Sequence, residues 1–214
     1  MKPLKITAAA ALIALSISSA HAASLTYTLD QSNTLPNGLE YATVTLSDGA
    51  DAGNAANVDF LIEITTSEFT PVGSNFGMDK FYFNFNSALN VAAVNVVNIN
   101  PVNWNIQTNK NAGGGFGFFD ILVKGTGNSR TSTLSFSIAG IAGDTIADYA
   151  AKNDGDYYFA AHVGGFGPEG ENSTKIAGNT PEVPVPAAVW LMGSALGVLG
   201  MIRRRKTAWQ SPAT

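Results

Sequence analysis

The chain has 214 residues, with twelve Lys and Arg against sixteen Asp and Glu, and it contains no cysteine. The lack of cysteine excludes disulfides, thiol nucleophiles and thiolate metal sites. Residues 23–180 carry fifteen acidic and six basic side chains, a net charge of −9, because both ends of the chain are basic. An acidic domain repels a phosphate backbone, so nucleic acid is not expected as a partner.

The first residues have the three regions of a secretory signal peptide. Lys2 and Lys5 precede an apolar run over residues 6–17, and Ala20 and Ala22 supply the small side chains that a cleavage site needs. Twelve helical residues reach roughly 18 Å, too short for a bilayer core of about 30 Å. We therefore predict a signal helix over residues 1–22, cleaved after Ala22 by signal peptidase once the secretion machinery has taken up the chain.

Period-two alternation of apolar and polar residues predicts antiparallel strands between the two ends. The clearest runs are 58–65, 81–86, 119–124 and 134–138, each with one apolar and one largely polar face. Weaker candidates are 25–29, 40–46, 93–99, 102–107 and 156–163, and turn-rich clusters separate them. Eight or nine short strands predict an all-β domain over residues 23–171, an antiparallel β-sandwich of the jelly-roll or Greek-key kind.

Three stretches of the domain depart from this strand pattern. Residues 145–152 are predicted to form one short surface helix with Asp144 as its N-cap. The Gly-rich stretches 113–117 and 164–167 lack the Lys-Ser/Thr pair of a phosphate loop and are interpreted as flexible connections. Residues 172–180 are polar, and we interpret them as a linker.

The C-terminal segment has three parts in a fixed order. A proline-rich motif comes first, then sixteen uncharged residues over 187–202, then the cations of 203–206, and a tail over 207–214 closes the chain. Sixteen helical residues span about 24 Å, and the remaining mismatch with a bilayer costs only fractions of a kcal/mol per Å. We therefore predict a transmembrane helix over 187–202, with the basic stop in the cytoplasm and the domain on the other side of the membrane.

Residues 181–206 resemble a PEP-CTERM sorting signal, in the subtype that reads Val-Pro-x-Pro-Ala before a Gly-rich helix and a cluster of arginines. The residues that carry the resemblance are Pro181, Glu182, Val183, Pro184, Val185, Pro186 and Ala187, with Arg203, Arg204 and Arg205 of the basic stop. The resemblance implies an exosortase-type processing enzyme as partner and a Gram-negative host that makes extracellular polysaccharide. It also implies anchoring in the inner membrane before processing, and a final place at the cell surface or outside the cell. The proline motif is doubled, so the point of processing is left open.

No pattern in the domain predicts catalysis. Asp59 and Glu63 share one strand face, but four residues of strand separate them by about 13 Å. Glycosidases need two carboxyl groups roughly 5–9.5 Å apart, so these two do not fit as a pair. His162 is the one histidine of the mature domain, too few for an ordinary zinc site.

Two further patterns are candidate binding sites. Asn153 and Asp156 flank Gly155 and are candidate ligands of a structural Ca²⁺, although the same residues favour an ordinary turn. Trp104 and Tyr82 are candidate glycan contacts, because aromatic faces stack on sugars. For Trp104, packing in the core is the favoured interpretation, since large aromatic side chains are usually buried.

Taken together, these patterns predict a non-enzymatic, exported protein without a required cofactor. We expect it to have a structural or adhesive role in an exopolysaccharide or biofilm matrix, with extracellular polysaccharide as a partner. A carbohydrate-binding module is the alternative function, and a secreted glycan hydrolase is the third.

Overall fold

The computed structural model describes residues 24–49 and 57–182. The predicted signal peptide with Ala20 and Ala22 lies outside these residues. So do the sorting-signal residues from Val183 onward, the transmembrane segment and the basic stop. Within the part of the chain that is described, no helix is long and apolar enough to cross a membrane.

Short strands and three 3-10 helices make up the regular structure of the described residues. The strands in chain order are β1 (Ser24–Leu29), β2 (Gln31–Ser32), β3 (Ala42–Asp48), β4 (Val58–Ile64), β5 (Val72–Phe83), β6 (Val96–Asn100), β7 (Asn105–Asn111), β8 (Phe118–Lys124), β9 (Thr133–Ile138), β10 (Phe159–Phe166), β11 (Asn172–Gly178) and β12 (Thr180–Glu182). The 3-10 helices are Thr66–Phe69, Ala93–Asn95 and Ile146–Tyr149.

The strands form two antiparallel sheets of six strands each. Sheet 1 has the order β12-β1-β3-β4-β9-β6, and sheet 2 has the order β2-β11-β10-β5-β8-β7. Apolar residues from both sheets share one core, in which the Phe60 ring stacks on Phe136 of sheet 1 and contacts Phe83 of sheet 2. The predicted all-β antiparallel fold is confirmed, and the two facing sheets are consistent with a β-sandwich.

A second, smaller apolar cluster covers part of the outer face of sheet 2. Tyr82, Leu122 and Ala160 of the sheet pack there against Phe116 of the loop that joins β7 and β8. The side-chain amide of Asn153 donates to the backbone oxygens of Phe116 and Phe118, and thereby holds this loop over the sheet. The loop therefore covers this part of the outer face of sheet 2, whereas the rest of the face lies outside the cluster.

The interpretation of residues 172–180 as a linker is wrong. Seven of them form β11, which pairs with β10 along its whole length and places Ile176 in the core. The polar composition of these residues suggests exposure, but Thr174 is only 2 % exposed. Its hydroxyl group forms hydrogen bonds with the side chains of Ser32 and Asn33. A buried hydroxyl group with partners is compatible with a strand in the interior.

The folded domain also extends into the predicted sorting motif. Thr180, Pro181 and Glu182 form β12, which pairs with the edge of sheet 1, with Glu182 opposite Thr26. Proline is tolerated there because β12 is an edge strand. The domain therefore ends at Glu182 or later rather than at residue 171, and Ser24 and Glu182 lie at the same end of neighbouring strands.

The predicted surface helix is shorter than expected and has 3-10 geometry over Ile146–Tyr149. The N-cap is Thr145 rather than Asp144, and the Asp148 carboxylate accepts hydrogen bonds from the Thr145 amide and hydroxyl groups. Asp144 instead accepts from the Tyr149 hydroxyl at 2.6 Å. Burial, followed by this hydrogen bond, raises the pKa of Tyr149. Since Tyr149 is buried against Phe60, the segment closes one end of the core.

The two Gly-rich stretches differ in structure. Residues 113–117 form the loop over sheet 2, and the four glycines among these five residues all have positive φ. Gly164 and Gly165 lie inside β10 instead, so their interpretation as a flexible connection is wrong. A Cβ on Gly164 would lie 2.8 Å from the Arg130 guanidinium carbon, so a side chain at this position would displace the arginine.

Candidate functional site

The two aromatic residues predicted to contact a glycan are both buried. Trp104 is 6 % exposed and belongs to the main core, whereas Tyr82 is 4 % exposed and belongs to the cluster on the outer face of sheet 2. The indole ring of Trp104 packs so closely on Gly125 that a Cβ there would lie 2.5 Å from it. The structure therefore brings neither ring to the surface, and core packing accounts for Trp104.

The two residues predicted to bind Ca²⁺ are engaged by protein donors. Asn153 Oδ1 accepts hydrogen bonds from the amides of Gly155 and Tyr157, and Asp156 Oδ1 lies 2.6 Å from Lys152 Nζ. No group of three or more His, Asp or Glu side chains suited to a metal comes together within residues 24–49 and 57–182. A structural calcium ion stays a prediction.

An open groove of about 670 Å³ lies at one end of sheet 2, and the sequence did not indicate it. Its wall includes the exposed ring of Phe118, at 59 % exposure, next to the carboxylate of Asp120 on the same strand. Three further segments contribute polar side chains to the lining: Asn84, Asn86, Asn109, Lys152, Asn153 and Asp154. Amides, a carboxylate and an exposed aromatic ring are the groups with which proteins contact neutral sugars.

Hydrogen bonds fix the floor of this groove. Asn84 Oδ1 accepts from the Asp120 amide at 3.0 Å, and Asp120 Oδ2 accepts from the Phe85 amide at 3.2 Å. Asn84 is 5 % exposed, and its Nδ2 group has no hydrogen-bond partner among the described residues. A buried donor without a partner is uncommon in a folded protein. The groove therefore combines a rigid polar floor with one unmatched donor.

A charged network lies at the other end of sheet 2 and involves the one histidine of the domain. His162 Nδ1 is 2.7 Å from Asp79 Oδ1, and Arg130 Nε is 3.6 Å from Asp79 Oδ2, within ion-pair range but beyond hydrogen-bonding distance. Burial by itself raises the pKa of Asp79. The hydrogen bond from His162 and the positive charges of His162, Lys80 and Arg130 outweigh burial, so that this pKa lies below its ordinary value. The histidine is therefore tied to a buried carboxylate.

Asp59 and Glu63 lie where their spacing in the sequence places them. Both are on β4, with Asp59 opposite Ser47 and Glu63 opposite Thr43 in the neighbouring strand. Both side chains point to the outer face of sheet 1, since the intervening Phe60 and Ile62 are buried in the core. This arrangement agrees with the expectation that the two carboxyl groups are too far apart to act as a pair.

His162 lies in the charged network, whereas Ser87 and Lys152 line the groove. Comparison of the chain with protein families, with curated proteins and with solved structures finds no match.

Proposed function

We propose that this protein is exported, is sorted by an exosortase-type enzyme, and has a non-catalytic structural or adhesive role at the cell surface or in an extracellular polysaccharide matrix. The observation that carries the proposal is the order of segments at the C-terminus. The fold reaches Glu182 in β12, inside the proline motif, and the rest of the motif, the uncharged segment and the cations follow directly in the sequence. A folded domain that adjoins such a segment is what a sorted and displayed protein requires.

The use of the carboxylates supports a non-catalytic role. Asp79, Asp120, Asp144 and Asp148 each accept hydrogen bonds from neighbouring protein groups. These carboxylates therefore stabilise loops and strands. The jelly-roll or Greek-key interpretation also belongs to this proposal, and the repeated crossings of the chain between the two sheets support it.

Mass spectrometry of the mature protein, purified from a host with an exosortase, tests the proposal. We expect a new N-terminus after Ala22 and a new C-terminus between Pro184 and Ala188. Replacing Pro184 by Ala should impair processing, whereas the matched change Pro212→Ala in the tail should leave processing intact. An intact peptide that contains residues 203–206, or a reporter fused after residue 180 that stays in the cytoplasm, would contradict the proposal.

A second candidate function, carbohydrate binding, is favoured by the groove. Phe118 is a large exposed aromatic residue beside amides and a carboxylate, which is the combination that holds a sugar ring. If the groove binds a neutral glycan, Phe118→Ala should weaken binding on a glycan array by about tenfold, corresponding to about 1.4 kcal/mol. Val102→Ala, which alters an exposed apolar residue outside the groove, should leave binding unchanged.

A further inference from the structure

Four basic residues lie side by side across the outer face of sheet 2. His162 of β10 pairs in register with Lys175 of β11 on one side and with Lys80 of β5 on the other, and Lys80 pairs with Lys124 of β8. Residues directly opposite in adjacent strands point to the same face, so these four side chains form one line. We call Lys175, His162, Lys80 and Lys124 the cationic row. Three strand spacings of about 4.8 Å give it a length of about 14 Å.

The three lysines of the cationic row have no ion-pair partner among the described residues. Lys80 and Lys124 are directly opposite one another, and like charges in that position destabilise a sheet. All three lysines are partly exposed rather than buried, and the side chain of Lys175 packs against Gly113 and Gly114 of the loop over sheet 2. Folding alone does not explain this arrangement, but an anion bound across the row would.

Arg130 extends the positive surface beyond the cationic row. Its guanidinium group lies over Gly164, two residues from His162 on the same face of β10, where the absence of a side chain leaves room for it. The buried carboxylate of Asp79 contacts both His162 and Arg130. One carboxylate therefore balances only part of the charge of these five basic groups.

The negative charge of the whole domain does not cancel this local surface. The Debye length at physiological ionic strength is about 8 Å, so exposed charges farther apart than this are largely screened. The outward carboxylates Asp59 and Glu63 belong to sheet 1, behind a core about 10 Å thick. These two carboxylates are therefore not among the charges that a ligand at the cationic row meets first.

We infer that the cationic row binds an extended carboxylated polysaccharide, with one carboxylate near each of several neighbouring lysines. A row of cations across four strands fits a polymer with repeated charges better than it fits a single small anion. The choice of a polysaccharide over other polyanions rests on the proposed function in an extracellular matrix. Nucleic acid is disfavoured, because no exposed aromatic residue alternates with the lysines to stack on bases.

Binding of polygalacturonate by the full-length chain, purified in detergent, tests this inference, with neutral dextran as the reference polymer. We expect the protein to bind polygalacturonate and not dextran, with an affinity that falls as salt is raised. Lys124→Gln should weaken binding about fivefold, equivalent to about 1 kcal/mol, and the double variant Lys80→Gln with Lys124→Gln should weaken it further. The double Arg variant at the same positions keeps the charge and should retain binding.

Lys110→Gln is the matched control, because Lys110 lies on the neighbouring strand β7, outside the cationic row, and the change removes the same charge. An effect of Lys110→Gln as large as that of Lys124→Gln would overturn the inference, and so would equal binding of dextran. Tighter binding of double-stranded DNA or of anionic lipid vesicles than of polygalacturonate would also overturn it. Thermal melting of each variant shows whether a loss of binding comes from misfolding. If a Gln variant is misfolded, binding by the double Arg variant, which keeps both charges, decides between charge and fold.

This test is independent of the proposed function. If the protein is exported and processed but does not bind polygalacturonate, the inference about the cationic row fails and the sorting proposal stands. If the lysine variants weaken binding but the protein is never exported, the row stands as a binding surface and the sorting proposal fails.

Discussion

The outer faces of the two sheets have the same geometry and opposite chemistry. Sheet 1 presents hydroxyl groups in register across its strands, for example Thr45 opposite Thr26, with the carboxylates of Asp59 and Glu63 among them. Sheet 2 presents the cationic row. The inner faces of both sheets are fixed by the shared core, whereas the outer faces are free to vary. The difference shows that the surface chemistry of this fold is set independently of its architecture.

The two faces also differ in their contribution to stability. The hydroxyl groups of Thr26 and Thr45 are 3.4 Å apart, a cross-strand pair that stabilises a sheet modestly. Lys80 and Lys124, in the equivalent relation on sheet 2, repel one another. The face of sheet 1 is therefore explained by folding, and the face of sheet 2 calls for a ligand.

The largest effect is expected from the core that both faces share. Phe60→Ala removes a ring that is 1 % exposed and contacts both sheets, so we expect a loss of about 3–5 kcal/mol in the free energy of unfolding. Leu61→Ala, at the next residue but on the outer face of sheet 1, should cost less than about 1 kcal/mol. Denaturant unfolding measures both. Equal losses would show that the outer face of sheet 1 is also packed against something.

A smaller loss is expected from Asp79→Asn, which removes the buried carboxylate beneath the face of sheet 2. His162 and Arg130 would lose their counter-charge, and we expect a cost of about 2 kcal/mol near neutral pH. Because folding lowers the pKa of Asp79, its contribution is present above the unfolded value, near 3.8, and is lost as the pH falls through the lower folded value. The difference between wild type and variant should therefore shrink below that pH.

The control for this pH profile is Asp59→Asn on the face of sheet 1. This carboxylate has no basic partner in an ion pair within the described residues, and we expect its removal to cost less than about 1 kcal/mol. A wild-type protein that loses no more stability in acid than Asp79→Asn would contradict the role given to Asp79.

The next effect concerns the edge of the groove. Asn153 makes four hydrogen bonds to backbone groups, so Asn153→Ala should cost about 1–3 kcal/mol and loosen the loop over sheet 2. Asn105→Ala, at an exposed position on the edge strand β7, should have little effect. Thermal melting with EDTA or CaCl₂ distinguishes a role of Asn153 in hydrogen bonding alone from a role as a Ca²⁺ ligand. A melting temperature raised by Ca²⁺ in the wild type and not in Asn153→Ala would support the predicted calcium site instead.

The smallest expected effect on stability comes from the repulsion between two lysines of the cationic row. Lys124→Gln should stabilise the domain by about 0.2–0.5 kcal/mol at low salt, because it removes the repulsion from Lys80. The gain should vanish at high salt, where the charges are screened. Lys110→Gln should show no such gain. Destabilisation by Lys124→Gln would mean that the row contributes to folding, and would weaken the case for a ligand.

The sequence predicted the strands whose alternation is strong and failed where burial involves polar or small residues. Residues 58–64 and 119–124 alternate clearly, and both are strands. β11 was missed because Thr174 is polar and its hydrogen-bond partners are about 140 positions away in the chain. β12 was missed because Pro181 is usually a sign of chain outside a sheet.

The binding surfaces could not be predicted, because residues from distant segments form them. The cationic row takes one residue from each of four strands, and strand register is not readable from the sequence of any one strand. The groove likewise joins residues near 85, 119 and 150. Trp104, the residue that sequence alone made the most conspicuous, proved to be part of the core.

The pairing of β12 with β1 has a consequence for the connectivity of the domain. Ser24 and Glu182 leave the sheet side by side, offset by only two residues or about 7 Å along the strands. A short loop could close the described domain into a ring, and a new opening in an exposed turn would give a circular permutant with the same two sheets. In that molecule β12 and β1 would become a hairpin, and the order of synthesis would change without moving any residue on either face.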